Sequence, residues 1–361
     1  MNPASANPAI PVPSLSVIVL NYNGAPWLER CLNSLREQTL FNDIEILVAD
    51  NQSPDHSDQL AAALMKDWRN GRVIQHGENL GYCEGNNRAA ESARGRYLLF
   101  LNNDTWLEPD CLERLLAEVA LAQAAAATPL VLNYDDDSFQ SLGAGGFDIF
   151  GLVTARGVFD TTREVLMPEG CSYLVEREIF NKVGRFDPKF FMFADETDLS
   201  WRVWIAGGKA VAVPAARLHH RGAAHVNPRG GGKLVELRTS DTKRFFANRN
   251  GLLVLLKNGQ NLLLLLVPLQ LLLLLAEAMA GLVLARRWSF VKRTFLDAVG
   301  DCWRLRAHIR TERRRIRSYR RRSDWWMLRF LRPGLNRFHE LTRAWRIGRL
   351  TTTPDEKNTP S

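Results

Sequence analysis

Leu15-Ser16-Val17-Ile18-Val19-Leu20-Asn21-Tyr22-Asn23-Gly24 is the stretch whose reading decides the fold. Leu15 to Leu20 is short, largely β-branched and apolar, which is the signature of a buried strand, and Asn23-Gly24 closes it with a turn. Pro26 then sits where a first helical turn tolerates it, and Trp27, Cys31, Leu32 and Leu35 recur at helical spacing. The same alternation continues outward. Ile44 to Ala49 reads as a second strand ending in Asp50-Asn51, and a helical pattern follows through Leu60, Leu64 and Trp68. Arg72 to Gln75 reads as a third strand, and Tyr97 to Leu101 as a fourth ending in Asn102-Asn103-Asp104. Strands alternating with helices imply βαβ units and a mainly parallel sheet. In such sheets ligands gather at the carboxyl ends of the strands, where these polar clusters fall.

Further on, Ala125 to Met167 is less regular and Cys171 to Val175 reads as another strand. A helix is expected through Leu199, Val203 and Trp204, and a final strand over Lys209 to Val213, leading into Pro214. A leucine-dominated run, Asn261 to Ala285, is interrupted in sequence by Pro268 and Glu277. The division expected is a short disordered segment over 1–14, a catalytic domain over 15–250, membrane-associating helices over 251–349 and a disordered tail over 350–361.

The composition, 46% apolar and 24% charged, is that of a globular chain with a real core. Five scattered cysteines without a C-x-x-C pair argue against a disulfide framework or a zinc cage, and for a reducing compartment. Nothing at the amino terminus resembles a secretion signal. The net charge of +8 is uneven: Arg286 to Arg349 carries twenty basic residues against five acidic ones, so the remainder is net acidic. A basic block beside a hydrophobic run points to an anionic membrane face, and no nucleic-acid partner is expected.

Five polar clusters can carry chemistry: Asn21-Tyr22-Asn23-Gly24, Asp50-Asn51, Asn102-Asn103-Asp104, Asp195-Glu196-Thr197-Asp198, and His219-His220 with His225. Each alone also suits a turn or a helix start. Their order, together with Asn79-Leu80-Gly81-Tyr82, Gly85-Asn86-Asn87 and Val183-Gly184-Arg185-Phe186-Asp187, resembles glycosyltransferase family 2 over about Leu15 to His225.

The resemblance implies the GT-A fold, an α/β Rossmann-like mixed sheet flanked by helices. It also implies an inverting transfer of sugar from a nucleotide diphosphate donor to a lipid-linked or polysaccharide acceptor, at the cytoplasmic face of the inner membrane. Such a transfer needs a base for the acceptor hydroxyl and stabilisation of the departing diphosphate, commonly by Mg²⁺ or Mn²⁺. By resemblance, Asn102-Asn103-Asp104 occupies the D-x-D position, so Asp104 is the expected metal ligand, with His220 completing the site and His219 the neighbour one residue away. Glu196 aligns with the base and Asp195 is its alternative or partner. Asp198 braces the helix through Arg202. Asn21, Tyr22, Asn23, Asp50, Asn51, Gly81, Asn86, Asn87, Asn102 and Asn103 are expected around the nucleotide sugar, and the rhamnosyltransferase-like branch makes rhamnose the first donor sugar to test.

Four alternatives bear on the residues themselves. A dinucleotide site would need G-x-G-x-x-G after Leu20, and a hydrolytic zinc site H-E-x-x-H; neither is present. A catalytically silent subunit that only binds sugar nucleotide stays open, and so does a basic membrane- or nucleic-acid-associated protein. For the leucine run, basic flanks on both sides favour a re-entrant or interfacial helix over a single crossing. Arg304 to Arg322, interleaved with Trp303, Ile309, Ile316 and Tyr319, suits an anionic lipid surface. A chain ending near Gly259 is accordingly expected to be soluble and to keep the site.

Overall fold

The structure, a computed structural model, describes residues 13–155, 157–222, 239–285, 287–333 and 352–353. The expectations for 1–12, His225 and 354–361 lie outside them. The chain opens with β1 (Leu15–Asn21), α1 (Leu28–Arg36), β2 (Ile44–Asp50), α2 (Ser57–Leu64), β3 (Gly71–Gln75), α3 (Gly81–Glu91) and β4 (Tyr97–Asn102). These four strands pair in parallel in the order β3-β2-β1-β4, as the alternation of strand and helix requires. Both faces of β1 are buried. Leu15, Val17 and Val19 join one apolar cluster with α1, and Ile18 joins the other.

Next come β5 (Thr105–Leu107), α4 (Cys111–Ala122), β6 (Ala126–Asn133), β7 (Phe139–Ser141), β8 (Ala144–Phe147), β9 (Val153–Ala155) and β10 (Arg163–Glu164). They are followed by β11 (Ser172–Glu176), α5 (Arg177–Lys182), α6 (Asp195–Ile205) and β12 (Ala210–His220). β11 runs antiparallel between β4 and β6, and β12 lies parallel to β6, so the sheet is mixed. The last strand does not stop before Pro214. It bulges between Val213 and Arg217 and resumes to His220. A proline inside a strand is tolerated at such a bulge, and this one carries two histidines to the strand ends where Asp104 lies.

The remaining helices are α7 (Asp241–Asn258), α8 (Leu266–Ala285), α9 (Trp288–Val291), α10 (Asp297–Arg304), α11 (Arg306–Tyr319) and α12 (Asp324–Met327). The domain boundary expected near residue 250 falls inside α7 and corresponds to no break in packing. Ile309, Ile316, Met327 and Phe330 share one apolar cluster with Phe147, Tyr173, Trp201 and Trp204. A buried polar network crosses the same boundary. Lys257 Nζ contacts both Asp187 and, at 3.0 Å, Asp198. Arg202 forks onto Asp198 at 2.7 and 2.9 Å, and Asn258 donates to the other Asp198 oxygen at 2.9 Å. His308 Nε2 lies 2.8 Å from Asp187. Asp198 and Arg202 pair as expected, but with partners the sequence did not reveal.

Two readings of the carboxyl-terminal half change. Pro268 and Glu277 do not break the leucine run: α8 is continuous, because Pro268 falls in its first turn and Glu277 is buried facing Arg244 at 3.9 Å. The arginine stretch is only partly available to lipid. Arg313 donates to the carbonyls of Leu256 and Gln260, Arg320 to that of Asn258, and Arg322 to those of Trp204, Gly207 and Gly208. These side chains clasp helix ends, where orphan carbonyls need donors.

Candidate functional site

The cleft forms where β1, β2 and β4 end side by side. Asn21 is its hub: its amide nitrogen donates to Asp50 at 2.7 Å, Ser57 at 2.8 Å and Ser53 at 3.1 Å, while its oxygen accepts from Asn103 at 2.9 Å. Gly24 permits this closure, since a Cβ there would lie 2.1 Å from the Asn21 oxygen and 2.4 Å from the Asn103 nitrogen. Asp50 is only 1% exposed and accepts from the Ser53 backbone at 2.9 Å and hydroxyl at 2.5 Å, besides Asn21. It therefore builds the turn that ends β2. Tyr22 is exposed at the cleft's edge, and Asn23 adopts φ 54°, turning the chain away after β1.

Asn51 reaches sideways, donating to the Gly81 carbonyl at 3.1 Å. Gly81 has φ +72°, and a Cβ would come within 2.6 Å of the Phe191 ring. Its glycine thus serves a positive-φ bend and close packing against Phe191. Asn86 donates to the Tyr82 carbonyl at 3.0 Å and leaves a buried oxygen without a partner. Asn87 spends both ends of its amide on the Phe186 backbone, at 2.9 and 3.1 Å, and so braces the 184–187 turn.

Asp104 and His220 meet at the far side of the cleft, Oδ1 to Nε2, at 3.4 Å. β12 alternates its side chains, so the two histidines face opposite ways. His219 stacks on Trp106 with centroids 3.6 Å apart and contacts Asp137 at 3.2 Å, whereas His220 faces Asp104. Gln140 sits 2.9 Å from Nδ1 of His220 and orients the ring, a partner with no motif in the sequence. Asn102 lines the same strand end, half-buried, and its backbone N–H donates to the Cys171 carbonyl at 3.0 Å.

Asp195 and Glu196 open α6. Burial and then the neighbouring Glu196 push Asp195 well above the usual carboxylate range; burial, with Glu169 nearby, also raises Glu196. Glu196 is the more accessible of the two, its side chain lying against Gly170. The segment Glu169–Cys171 thus has the acidic pair on one side and Asp104–His220 on the other, with Tyr82 donating to the Gly170 carbonyl at 3.0 Å.

The chain enters α6 through a strained approach: Phe191, Phe193 and Ala194 have φ of 62°, 65° and 57°. Asn250 of α7, fully buried, holds it by donating to the carbonyls of Phe190, Met192 and Phe193 at 3.0, 2.8 and 2.8 Å. Arg249 adds a bond to the Lys189 carbonyl at 2.5 Å and pairs with Asp301 at 3.0 Å. Sequence reading missed Asn250, Arg249, Glu169 and Gln140. The sole signal was polar residues inside otherwise apolar helical spacing, as at Arg249-Asn250 before Leu252.

The family model described as glycosyl transferase family 2 matches residues 16–184, a stretch that ends before Asp195, Glu196 and His220. The N-acetylglucosaminyl-diphospho-decaprenol L-rhamnosyltransferase of Mycobacterium tuberculosis is 30% identical over 266 residues, covering 65% of this chain and 85% of that protein. Among solved structures, GalNAc-T7 with UDP, GalNAc and Mn²⁺ superposes with a TM-score of 0.54 at 19% identity, covering 68% of this chain and 48% of that one. S. aureus TarS 1-349 in complex with UDP gives 0.54 at 16% identity, covering 85% and 89%. At those identities the two structures speak for the fold, which is GT-A.

Proposed function

Because the chain belongs to glycosyltransferase family 2 and is a glycosyltransferase, we propose that it transfers a sugar, with rhamnose first to be tested, from a nucleotide diphosphate to a polyprenyl-linked acceptor in cell-surface glycan synthesis. The observation that carries this reading is that Asp104 pairs with His220 and Glu196 lies against Gly170, both beside the Glu169–Cys171 segment that adjoins the carboxyl end of β4. Inversion follows from a single displacement, in which the acceptor oxygen bonds the anomeric carbon on the face opposite the diphosphate oxygen that leaves, with one base taking the hydroxyl proton. Glu196, whose carboxyl is raised by burial and which is the more accessible of the pair, takes the proton of the acceptor hydroxyl; Asp195 tunes it. The nucleotide lies over Tyr22, Asn23, Asn51, Asn102 and Asn103, on the floor that Asn21 and Asp50 hold flat.

A carboxylate and an imidazole 3.4 Å apart can touch one ion, and they fit Mn²⁺ or Mg²⁺ as a thin protein ligand set that leaves coordination positions for phosphate oxygens. Such an ion would stabilise the negative charge on the departing diphosphate. Release of nucleoside diphosphate from a donor panel, dependent on a polyprenyl-diphosphate-linked sugar acceptor, tests the reading. Asp104→Asn and His220→Ala should each raise the metal concentration needed for half-maximal donor binding by at least about tenfold, since each deletes a ligand. Full activity in excess chelator would overturn the metal assignment.

The same reading includes attachment to the cytoplasmic membrane face. α8 is long and apolar enough to cross a bilayer, yet it has two faces. Gln270, Leu273, Leu274 and Glu277 turn inward, while Leu272, Leu275, Met279 and Val283 are exposed, together with Trp288, Leu296 and Trp303 beyond it. A helix packed along one side by its own protein suits an interfacial position better than a crossing. The full-length protein should sediment with anionic vesicles, resist release by high salt and yield to detergent. Complete release by salt would leave the exposed arginines as the sole lipid contact.

A further inference from the structure

The backbone just before Asp195 is bent in a way that its own residues do not favour. Phe191, Phe193 and Ala194 stand at φ of 62°, 65° and 57°. None of the three is glycine, asparagine or aspartate, the types that take left-handed backbone at little cost. Such a bend persists when contacts from elsewhere in the fold hold it. Asn250 of α7, fully buried, is that contact. Its amide nitrogen lies 2.8 Å from the carbonyls of Met192 and Phe193 and 3.0 Å from that of Phe190, so its hydrogens are shared among three acceptors. Arg249 Nε donates to the Asn250 oxygen at 2.9 Å, which keeps the nitrogen end of the amide turned to the loop.

Both flanks of the bend are fastened by other groups. On the near side the Phe191 carbonyl accepts from the Tyr82 backbone at 3.0 Å, and the Phe191 ring packs where a Gly81 Cβ would stand. On the far side Arg202, Lys257 and Asn258 grip Asp198, while Trp201 and Trp204 sit in the core. The body of α6 is thus seated independently of Asn250. Asp195 and Glu196 are its first two residues, so the backbone angles at Ala194 set the direction in which their side chains leave. We propose that Asn250 is a positioning residue for the transfer: it keeps the approach to α6 left-handed and thereby aims Glu196 at the acceptor hydroxyl. The role of Glu196 rests on the transferase reading, whereas the hold on the loop stands on its own bonds.

The test compares full-length Asn250→Ala with the unaltered chain in detergent, by hydrogen exchange and by turnover of UDP- and dTDP-sugars with a polyprenyl-diphosphate-linked sugar as acceptor. Amides over 192–198 should exchange at least about tenfold faster, with those over 199–205 little changed, because Asp198 still pins the helix. Nucleoside diphosphate release at saturating donor should fall at least about tenfold, and the half-saturating donor concentration should stay within about threefold. A role confined to stability would lower the melting temperature and leave that rate unchanged well below it. Adding Ala194→Gly to Asn250→Ala should recover at least about half of the lost rate, since glycine takes a φ of 57° without the Cβ penalty. If Asn250→Ala does not melt cooperatively, Ala194→Val carries the test. It penalises left-handed backbone at a half-buried position, leaves α7 intact, and should give the same faster exchange and slower turnover. Unchanged exchange over 192–198, faster exchange with an unchanged rate, or a loss that Ala194→Gly does not relieve overturns the proposal. No release by the unaltered chain from any donor sinks the transferase reading instead, and faster exchange in Asn250→Ala then still upholds the hold on the loop.

Discussion

Glu196→Gln should lower sugar transfer by at least about 10²-fold while leaving nucleoside diphosphate binding little changed, because it keeps the shape and removes the proton acceptor. Asp195→Asn should cost less, since Asp195 is buried beside Glu196 and acts on it through a side-chain hydrogen bond that an amide can also donate. The two variants also separate by stability. Asp195 is raised in the folded chain, chiefly by burial and then by Glu196, so folding favours its protonated form. That contribution is complete below the ordinary carboxylate range and is lost as pH rises through the raised value. Asp195→Asn should therefore melt higher than the unaltered protein at pH 8, and the difference should vanish near pH 4. The acid limb of the rate profile should likewise lie above the ordinary carboxylate range. Near-full activity in Glu196→Gln with a dead Asp195→Asn would exchange the two roles; activity in both would remove the acidic pair from the mechanism.

A chain ending at Gly259 should fail to fold, contrary to what the change from catalytic motifs to leucines suggests. The cut would remove Ile309, Ile316, Met327 and Phe330 from the core that holds Trp201 and Trp204. At roughly 1.5–3 kcal/mol per buried side chain, these four alone approach the 5–15 kcal/mol that hold a whole domain together. The cut also strips His308 from Asp187 and the arginine donors from the ends of α6 and α7. The expected observation is an aggregated product without cooperative melting or a nucleotide-induced shift. A soluble truncated chain that binds UDP or dTDP would show that the carboxyl-terminal helices are dispensable. Lys257→Met in the full chain tests the same contact more gently. Two buried carboxylates would be left with less positive charge between them, a loss of about 3–5 kcal/mol.

Local patterns in the sequence were sufficient for the parallel half of the sheet, because a short β-branched run followed by a helical repeat states its own period. They were also sufficient for the family and for the carboxylates that open α6, since those motifs are contiguous. Packing alone decided the rest. Whether His219 or His220 faces Asp104 depends on which way β12 alternates after the bulge at Pro214, and a single residue of register inverts the answer. Asn87 and Asp50 read as ligand-binding types, yet the Phe186 backbone takes both ends of the Asn87 amide, and the Ser53 backbone and hydroxyl and the Asn21 amide take the Asp50 oxygens. Pro268 and Glu277 look like interruptions until the first turn and the Arg244 side of α8 accommodate them. Asn250 carries no motif, and its hold on Phe190–Phe193 exists only because α7 is laid across that loop. What sequence conveys is period and chemistry within a few residues; which groups share a proton, an ion or a core is settled by contacts between segments far apart in the chain.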